Sequence, residues 1–455
     1  MNFLNDIKNY FTEDQIILKQ LDEYASDKTP EQSAYPDCVI LAKSEKDIQT
    51  LCQLVTKHKV PLTVRASGSG TTGGALALHG GVILSMEKLN QVKELDTVNK
   101  MITVEPGVIT GDIHKMVEQH GLFYPPDPQS SDYCSIGGNI AENAGGPKAL
   151  KYGVTSHYVI GLKGYYIDGT PFEYGGKQLK NVAGYNLIQL IVGSEGTLAI
   201  VTEITLKLIS KPKYSQDMII LFNNYDDAVQ SLAKLQSESL SPSIVEFLDG
   251  FCFEAVSRYL NIDVKYAKAP ASLLIECDGY TKDSVKEMIK KIEMIANDHS
   301  AIEIIDLESE ADREFAWNCR KQFSLALTSI SHHKKSEDVV VPPSEIPQFL
   351  KQLKSIGSEY GLTILGYGHL GDGNIHVNIL DLTHHENWKV AHKEAISKIM
   401  KAAVGCGGTI SGEHGIGSTK KEYMSLLFSS NDLQIMKSIK KTVDPNNLLN
   451  PGKIF

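Results

Sequence analysis

Two short segments in the last third of this 455-residue chain combine imidazoles, a carboxylate and glycines at a spacing that could hold a metal ion. The first runs from Gly366 to Leu380 and contains His369, Asp372-Gly373 and His376. Asp-Gly is a strong two-residue hairpin turn because both positions tolerate a positive φ. A turn there pairs Leu370 with Ile375 and His369 with His376, placing the two imidazoles on one face with Cβ atoms roughly 5 Å apart. They could share one ion, although a cross-strand pair of surface histidines is the plainer reading in a chain with 14. The second segment, Ser411-Gly412-Glu413-His414-Gly415-Ile416-Gly417, offers a carboxylate to complete two histidines and one glutamate, leaving positions open for substrate. Zinc is the natural ion for such a set, and iron or manganese could also fill it. Taken alone, this segment reads as a loop with an ordinary surface ion pair.

Upstream stand three loops of small residues, at 65–74, 135–146 and 193–197. Gly68-Ser69-Gly70-Thr71-Thr72-Gly73 matches GxGxxG and follows a predicted strand. The dinucleotide-binding version of that motif requires a helix to begin inside the glycines. Here the loop continues to Gly81 and into another strand, so that fold is rejected. What remains is a row of bare amides able to converge on an anion, and three such loops suggest close backbone approach to a large flat cofactor.

The elements that must carry these segments follow from periodicity. Strands are predicted at 39–41, 60–64, 82–85, 101–105, 158–167 and 198–208. Ser44, with Asp47 three residues on, caps a helix whose stripe is Ile48, Leu51, Leu54 and Val55. A second helix runs from Thr110 to His120, and 124–148 shows almost no regular pattern, which marks it as functional. Beyond Ser210–Lys213 the strands 217–222, 243–248 and 272–277 alternate with helices 226–237, 250–260 and 281–297. That reads as an α+β layer, sheet on one side and helices on the other. A helix at 309–330, a strand at 338–341, a helix at 345–360, a hairpin at 362–380 and helices in 386–404 and 417–442 complete it. Arg320 sits on the 309–330 helix, where a lone arginine is ordinarily solvated.

Composition narrows the class without naming it. Lys and Arg total 45 against 55 Asp and Glu, a formal charge of −10, which argues against a nucleic-acid partner. The seven cysteines are scattered, which disfavours a disulfide framework, a zinc ribbon or an iron–sulfur cluster and fits a reducing cytoplasm. No apolar run suits a bilayer span, and the first fifteen residues do not read as a secretory signal.

The order Arg65–Gly74, Pro125-Pro126-Asp127-Pro128, Ile136-Gly137-Gly138-Asn139, Asn143-Ala144-Gly145-Gly146, Lys180–Tyr185 and Gly193–Thr197 resembles the FAD-binding domain of the vanillyl-alcohol-oxidase type. Within it the chain is similar, from about residue 35 onward, to the FAD-linked D-2-hydroxy-acid dehydrogenases: glycolate oxidase FAD subunit, D-lactate dehydrogenase and D-2-hydroxyglutarate dehydrogenase. The resemblance implies an α+β protein with a two-part FAD-binding domain at 1–212, an α+β substrate (cap) domain with a metal site at 213–415, and a helical segment returning at 416–455. It implies cofactor contacts from Arg65, Ser67, Gly68, Ser69, Gly70, Thr71, Pro126, Asp127, Ser135, Gly138, Asn139, Asn143, Gly145, Gly146, Ile200 and Asn450. Relatives with covalent flavin carry a His where Gly70 stands, so FAD is expected to be non-covalent. Cys134 lies near a second linkage position but is common in non-covalent relatives.

The same resemblance places His369, His376 and Glu413 on a divalent metal, expected to be Zn2+, with His414 as base, Arg320 on the substrate carboxylate and Asn378 in contact with substrate. The family lysine falls at Lys334 or Lys335, with Lys335 preferred. The implied reaction converts a D-2-hydroxy acid to a 2-oxo acid. The alternatives are an alkyl-dihydroxyacetone-phosphate synthase or a non-catalytic flavin subunit. The electron acceptor (quinone, electron-transfer flavoprotein, cytochrome or iron–sulfur partner subunit), a homodimer and peripheral membrane attachment through a partner are left open.

Overall fold

The computed structural model describes residues 3–30, 32–238 and 240–455. The chain divides into two units. One is built from the residues up to Gly145, Val154–Lys211 and Glu413–Phe455, the other from Gly146–Gly153 and Pro212–Gly412.

In the first unit, strands Cys38–Leu41, Val82–Ser85 and Leu62–Arg65 lie parallel, joined by antiparallel Ile16–Ile17 at one edge. The helix Glu45–His58 crosses between two of them. Ser44 Oγ accepts the Asp47 amide and the Asp47 carboxylate accepts the Ser44 amide, as the capping pattern predicts. Its buried stripe, Ile48, Leu51, Leu54 and Val55, packs with Ile40, Leu84 and Leu449. No helix interrupts the run from Arg65 to Val82, which bears out the rejection of the dinucleotide fold. A five-stranded antiparallel sheet orders Val92–Asp96, Met101–Val104, Ile200–Lys207, Val159–Tyr165 and Pro171–Gly175. The stretch 124–148 is not featureless: Ile136–Glu142 forms a helix, closed by Asn143 at φ 54. Its Gly137 lies against Pro106, where a Cβ would come within 2.7 Å, so glycines that mask helical periodicity are here demanded by packing.

The second unit is one antiparallel seven-stranded sheet, ordered Ala301–Leu307, Tyr214–Phe222, Ala271–Gly279, Ile244–Asp249, Thr363–His369, Asn374–Asp381 and His333–Val340. The expectation of helices on a single face is corrected. Leu365 and Tyr367 pack with Phe253 and Phe323 of helices Gly250–Leu260 and Glu310–Ile330. A Cβ on intervening Gly366 would meet Leu350 and Leu353 of helix Ile346–Tyr360, so both faces are covered. Two-sided burial gives near-continuous apolar strands, which hide the alternation that reveals a face. Strands Val92–Asp96 and Ala301–Leu307 were not expected, both being edge strands with exposed residues. The strand expected at 338–341 spans His333–Val340, and 417–442 holds short helical turns at Lys421–Tyr423 and Met424–Leu427 before the longer helix Ser430–Val443. Among the described residues no helix is long and apolar enough to cross a membrane.

Asp217 is buried on strand Tyr214–Phe222, with its carboxylate accepting Trp317 Nε1 at 2.8 Å. Burial pushes its pKa up to about 6, helped by the Glu276 charge. The folded protein therefore holds this proton more tightly than the unfolded chain. The associated stability is full below the unfolded pKa and is lost as pH rises through about 6. Asp217→Asn is expected to raise stability at pH 7.5 by up to roughly 3 kcal/mol, a gain that disappears near pH 4. Urea unfolding at the two pH values checks this.

Candidate active site

The second unit assembles its polar side chains around one carboxylate. Glu246 on strand Ile244–Asp249 has no solvent exposure. Its Oε2 accepts Arg320 Nε at 2.7 Å, and its Oε1 is bonded to His369 Nδ1. Burial works to raise the Glu246 pKa, but the Arg320 and His369 charges outweigh it and hold the carboxyl below its usual range. Arg320 is buried, with its guanidinium 4.9 Å from the Tyr367 ring centroid. Among the described residues its terminal Nη groups make no hydrogen bond, so a fork remains for an incoming anion. Arg320 is thus an inward-facing residue rather than the solvated one its helix position suggests. Nothing in the sequence reading marked Glu246, although a lone carboxylate inside Ile244-Val245-Glu246-Phe247-Leu248 was the available signal.

The hairpin register differs from expectation. Tyr367, not His369, pairs with His376. Strand Thr363–His369 leaves its hairpin partner after Tyr367 and pairs Gly368 and His369 with Phe247 and Glu246 instead. The turn is correspondingly larger, with Gly373 N–H donating to Leu370 O and Asp372 N–H to His369 O. The shift is two residues, and a period of two preserves the face. His369 and His376 therefore still stand together, ring centroids 5.2 Å apart. Gly412, whose N–H donates to Asp338 at 2.7 Å, is peptide-bonded to Glu413. One ligand atom each from His369, His376 and Glu413 lie within 4.8 Å of one another. With His369 Nδ1 committed to Glu246, its Nε2 is the ring nitrogen for a metal, the usual carboxylate–histidine arrangement. The donor set fits a divalent ion such as zinc.

Pairing decides between the lysines. Lys334 lies opposite Leu380 and Ser336 opposite Asn378, on the face of His376, whereas Lys335 pairs with Ile379 on the other face. The preference for Lys335 is thereby corrected. Lys334 Nζ donates to Ser324 Oγ at 2.6 Å and Ser324 O at 3.0 Å, and burial lowers its pKa to about 8. Asn378 is 1% exposed, its Oδ1 accepts Ser336 Oγ and its Nδ2 donates to His376 O, so it braces the strand that carries His376.

In the first unit the expected cofactor residues fall into two groups. Among the described residues, the backbone amides of Ser67, Gly68, Ser69, Gly70 and Thr71 donate to no protein acceptor. Buried Arg65 Nη1 and Ser135 Oγ lack partners, and the Cβ positions of Gly70 and Gly138 are open. Gly68, at φ 66, sits where a Cβ would strike the Arg65 guanidinium. These features fit a phosphate-bearing cofactor approaching the backbone. Pro126 is buried, with its carbonyl on His114 Nε2, and Asp127 is half-buried. Gly145 closes this segment, and Gly146 belongs by its contacts to the second unit.

The other group is structural. Ile200 is buried in the apolar cluster with Ile40 and Leu84. Asn139 Nδ2 donates to Thr110 Oγ1, and Asn143 Oδ1 accepts the Ser156 amide. Asn450 Oδ1 accepts the Val64 amide and its Nδ2 donates to Glu195 O, so it bridges strand Leu62–Arg65 and the loop at 193–197. His414 Nε2 lies 3.8 Å from Glu413 Oε1, and its carbonyl accepts Thr72 Oγ1 at 3.0 Å.

Comparison with known proteins agrees with these features. Residues 36–175 match the FAD binding domain family and 211–454 the FAD linked oxidases, C-terminal domain. The chain is 38% identical over 432 residues to glycolate oxidase subunit GlcD of Bacillus subtilis (strain 168), covering 95% of this chain and 92% of that protein. It is 32% identical to D-lactate dehydrogenase of Anaerostipes hadrus, covering 92% and 90%, and 30% identical to D-2-hydroxyglutarate dehydrogenase of Stutzerimonas stutzeri (strain A1501), covering 96% and 94%. The structure of p-cresol methylhydroxylase superposes with a TM-score of 0.82 at 16% identity, covering 99% of this chain and 96% of that one, which establishes the shared fold.

Glu246→Gln keeps the shape but leaves the buried Arg320 without its counter-charge. We expect a loss of about 3 kcal/mol or more in urea unfolding. Full stability in that variant would show that Glu246 is not the anchor described.

Proposed function

We propose, from the premise that this chain belongs to the FAD-linked oxidases, that it oxidises a D-2-hydroxy acid to the corresponding 2-oxo acid. The observation that carries this reading is the Glu246 array, in which one carboxylate holds both a guanidinium with free Nη donors and the His369 imidazole of a two-histidine, one-glutamate set. A 2-hydroxy acid presents an anionic carboxylate next to a hydroxyl, and these groups complement that array. The activities that the relatives are named for, on glycolate, D-lactate and D-2-hydroxyglutarate, support the substrate class.

In this reading Arg320 binds the carboxylate through its Nη atoms, and Glu246 keeps the guanidinium charged and oriented. Lys334, half-buried on the face shared with His376, adds a second donor. His369, His376 and Glu413 would hold a divalent ion, proposed to be Zn2+, which supplies Lewis-acid polarisation of the hydroxyl when bound. His414 accepts the hydroxyl proton on an imidazole nitrogen, as a group of near-neutral intrinsic pKa can. Residues 67–71 and 135–139 would hold FAD non-covalently, which when bound would supply two-electron acceptance of the C2 hydride. Loss of the hydroxyl proton to His414 and of the C2 hydride would leave a 2-oxo acid two hydrogens short of the substrate.

An anaerobic visible spectrum of the FAD-loaded, zinc-supplemented protein tests the reading. D-lactate, glycolate or D-2-hydroxyglutarate should bleach the flavin band, and L-lactate should not. Absence of bleaching by every D-2-hydroxy acid would end it. His414→Ala is expected to slow bleaching by about a hundredfold or more at unchanged flavin content. Dialysis against a chelator should abolish bleaching until zinc is restored, and unchanged rates in a metal-free sample would remove the metal from the proposal.

A further inference from the structure

The Glu413-His414 pair sits in a stretch with no secondary structure, from Gly412 to Ser418, and both Gly415 (φ 81) and Gly417 (φ 51) are left-handed. Glycine gives such backbone wide freedom. A proton acceptor must nonetheless be held to about 0.5 Å of its productive place. Some other group has to supply that rigidity.

The structure assigns this role to Glu195: we infer that it is a positioning residue for His414 and Glu413, acting with Thr72 by clamping the backbone just beyond them. The inference rests on the roles proposed above for those two residues. Glu195 Oε1 accepts the Ile416 amide and Oε2 the Gly417 amide, each at 2.7 Å. Thr72 Oγ1 donates to His414 O at 3.0 Å, and Thr72 O accepts the Ser418 amide at 2.8 Å. A Cβ on Gly417 would come within 2.1 Å of Thr72 O, so the two strands of chain are in contact there.

Glu195 is costly in two ways. It adopts φ 52, a left-handed conformation that costs a residue with a Cβ about 1 kcal/mol and that glycine takes freely. It also buries a carboxylate, which is unfavourable unless its oxygens are satisfied. A glycine would avoid both costs, so the side chain is retained for what it holds. The clamp is itself anchored: Glu195 N–H donates to Ala141 O at 2.8 Å and Glu195 O accepts Asn450 Nδ2 at 2.9 Å. Glu195 and Thr72 belong to two of the three small-residue loops, so the loops that fit a cofactor also fix the acid–base segment.

The test uses Glu195→Gln and Glu195→Gly in the full-length, FAD-loaded, zinc-supplemented protein. Gln keeps one acceptor but turns an N–H toward the second amide. Gly removes the clamp while relaxing the strained φ. Both should slow anaerobic flavin reduction by about tenfold or more, with the half-saturating substrate concentration within about threefold of wild type. Flavin content should be unchanged, and the melting temperature of the Gly variant should be no lower than that of Glu195→Ala. Hydrogen exchange at Ile416 and Gly417 should quicken. Unchanged reduction rates despite faster exchange would overturn the inference, as would a rate loss that only tracks lost flavin or lost stability. If the wild-type flavin is bleached by no D-2-hydroxy acid, the proposed function fails separately. Zinc affinity then decides the clamp: about tenfold weaker binding in Glu195→Gly supports it, and unchanged binding refutes it.

Discussion

Glu246 has no water to share its charge with, so the groups that neutralise it have little freedom to stand elsewhere. One oxygen takes the Arg320 guanidinium and the other the His369 imidazole, which sets two different elements, helix Glu310–Ile330 and the end of strand Thr363–His369, against a single point. The geometry available to an anion and to a metal is therefore one property rather than two. The aromatic shell of Phe323 and Tyr367 around the guanidinium excludes solvent, and the pair would be weaker if water reached it.

What the sequence disclosed about this arrangement depended on the range of the signal. The Ser44–Asp47 cap and the stripe Ile48, Leu51, Leu54 and Val55 are local, and they describe their helix correctly. The hairpin illustrates the intermediate case. Asp372-Gly373 locates the bend, but the register is decided by Glu246 and Phe247 on a strand more than a hundred residues earlier, which capture His369 and Gly368. The histidines still met, because displacement by an even number of residues leaves a side chain on its face. An odd displacement would have separated them.

The residues whose placement the sequence left open are those whose surroundings are assembled from distant chain. Lys334 and Lys335 are indistinguishable as letters, and only the pairing with Leu380 and Ile379 separates them. Ile200, Asn378 and Asn450 occupy motif positions, yet their side chains are consumed by packing or hydrogen bonds inside the protein. Glu246 and Glu195 went unremarked for the opposite reason: a single Glu carries no spacing, and its meaning comes from burial.

The first unit is closed by chain far from it in sequence. Leu449 joins Leu62 in a parallel bridge, Leu62 N–H donates to Leu448 O, and Lys440 reaches Thr197 O and Leu449 O from the final helix. A ribosome delivers residues 38–85 well before these partners, with the whole of Pro212–Gly412 emerging between. During synthesis the early sheet therefore waits with an open edge at Leu62–Arg65, while the intervening unit, nearly continuous in sequence, can become compact first. Unpaired edges of this kind are where nascent chains aggregate, so protection by chaperones matters most before residues 440–450 arrive.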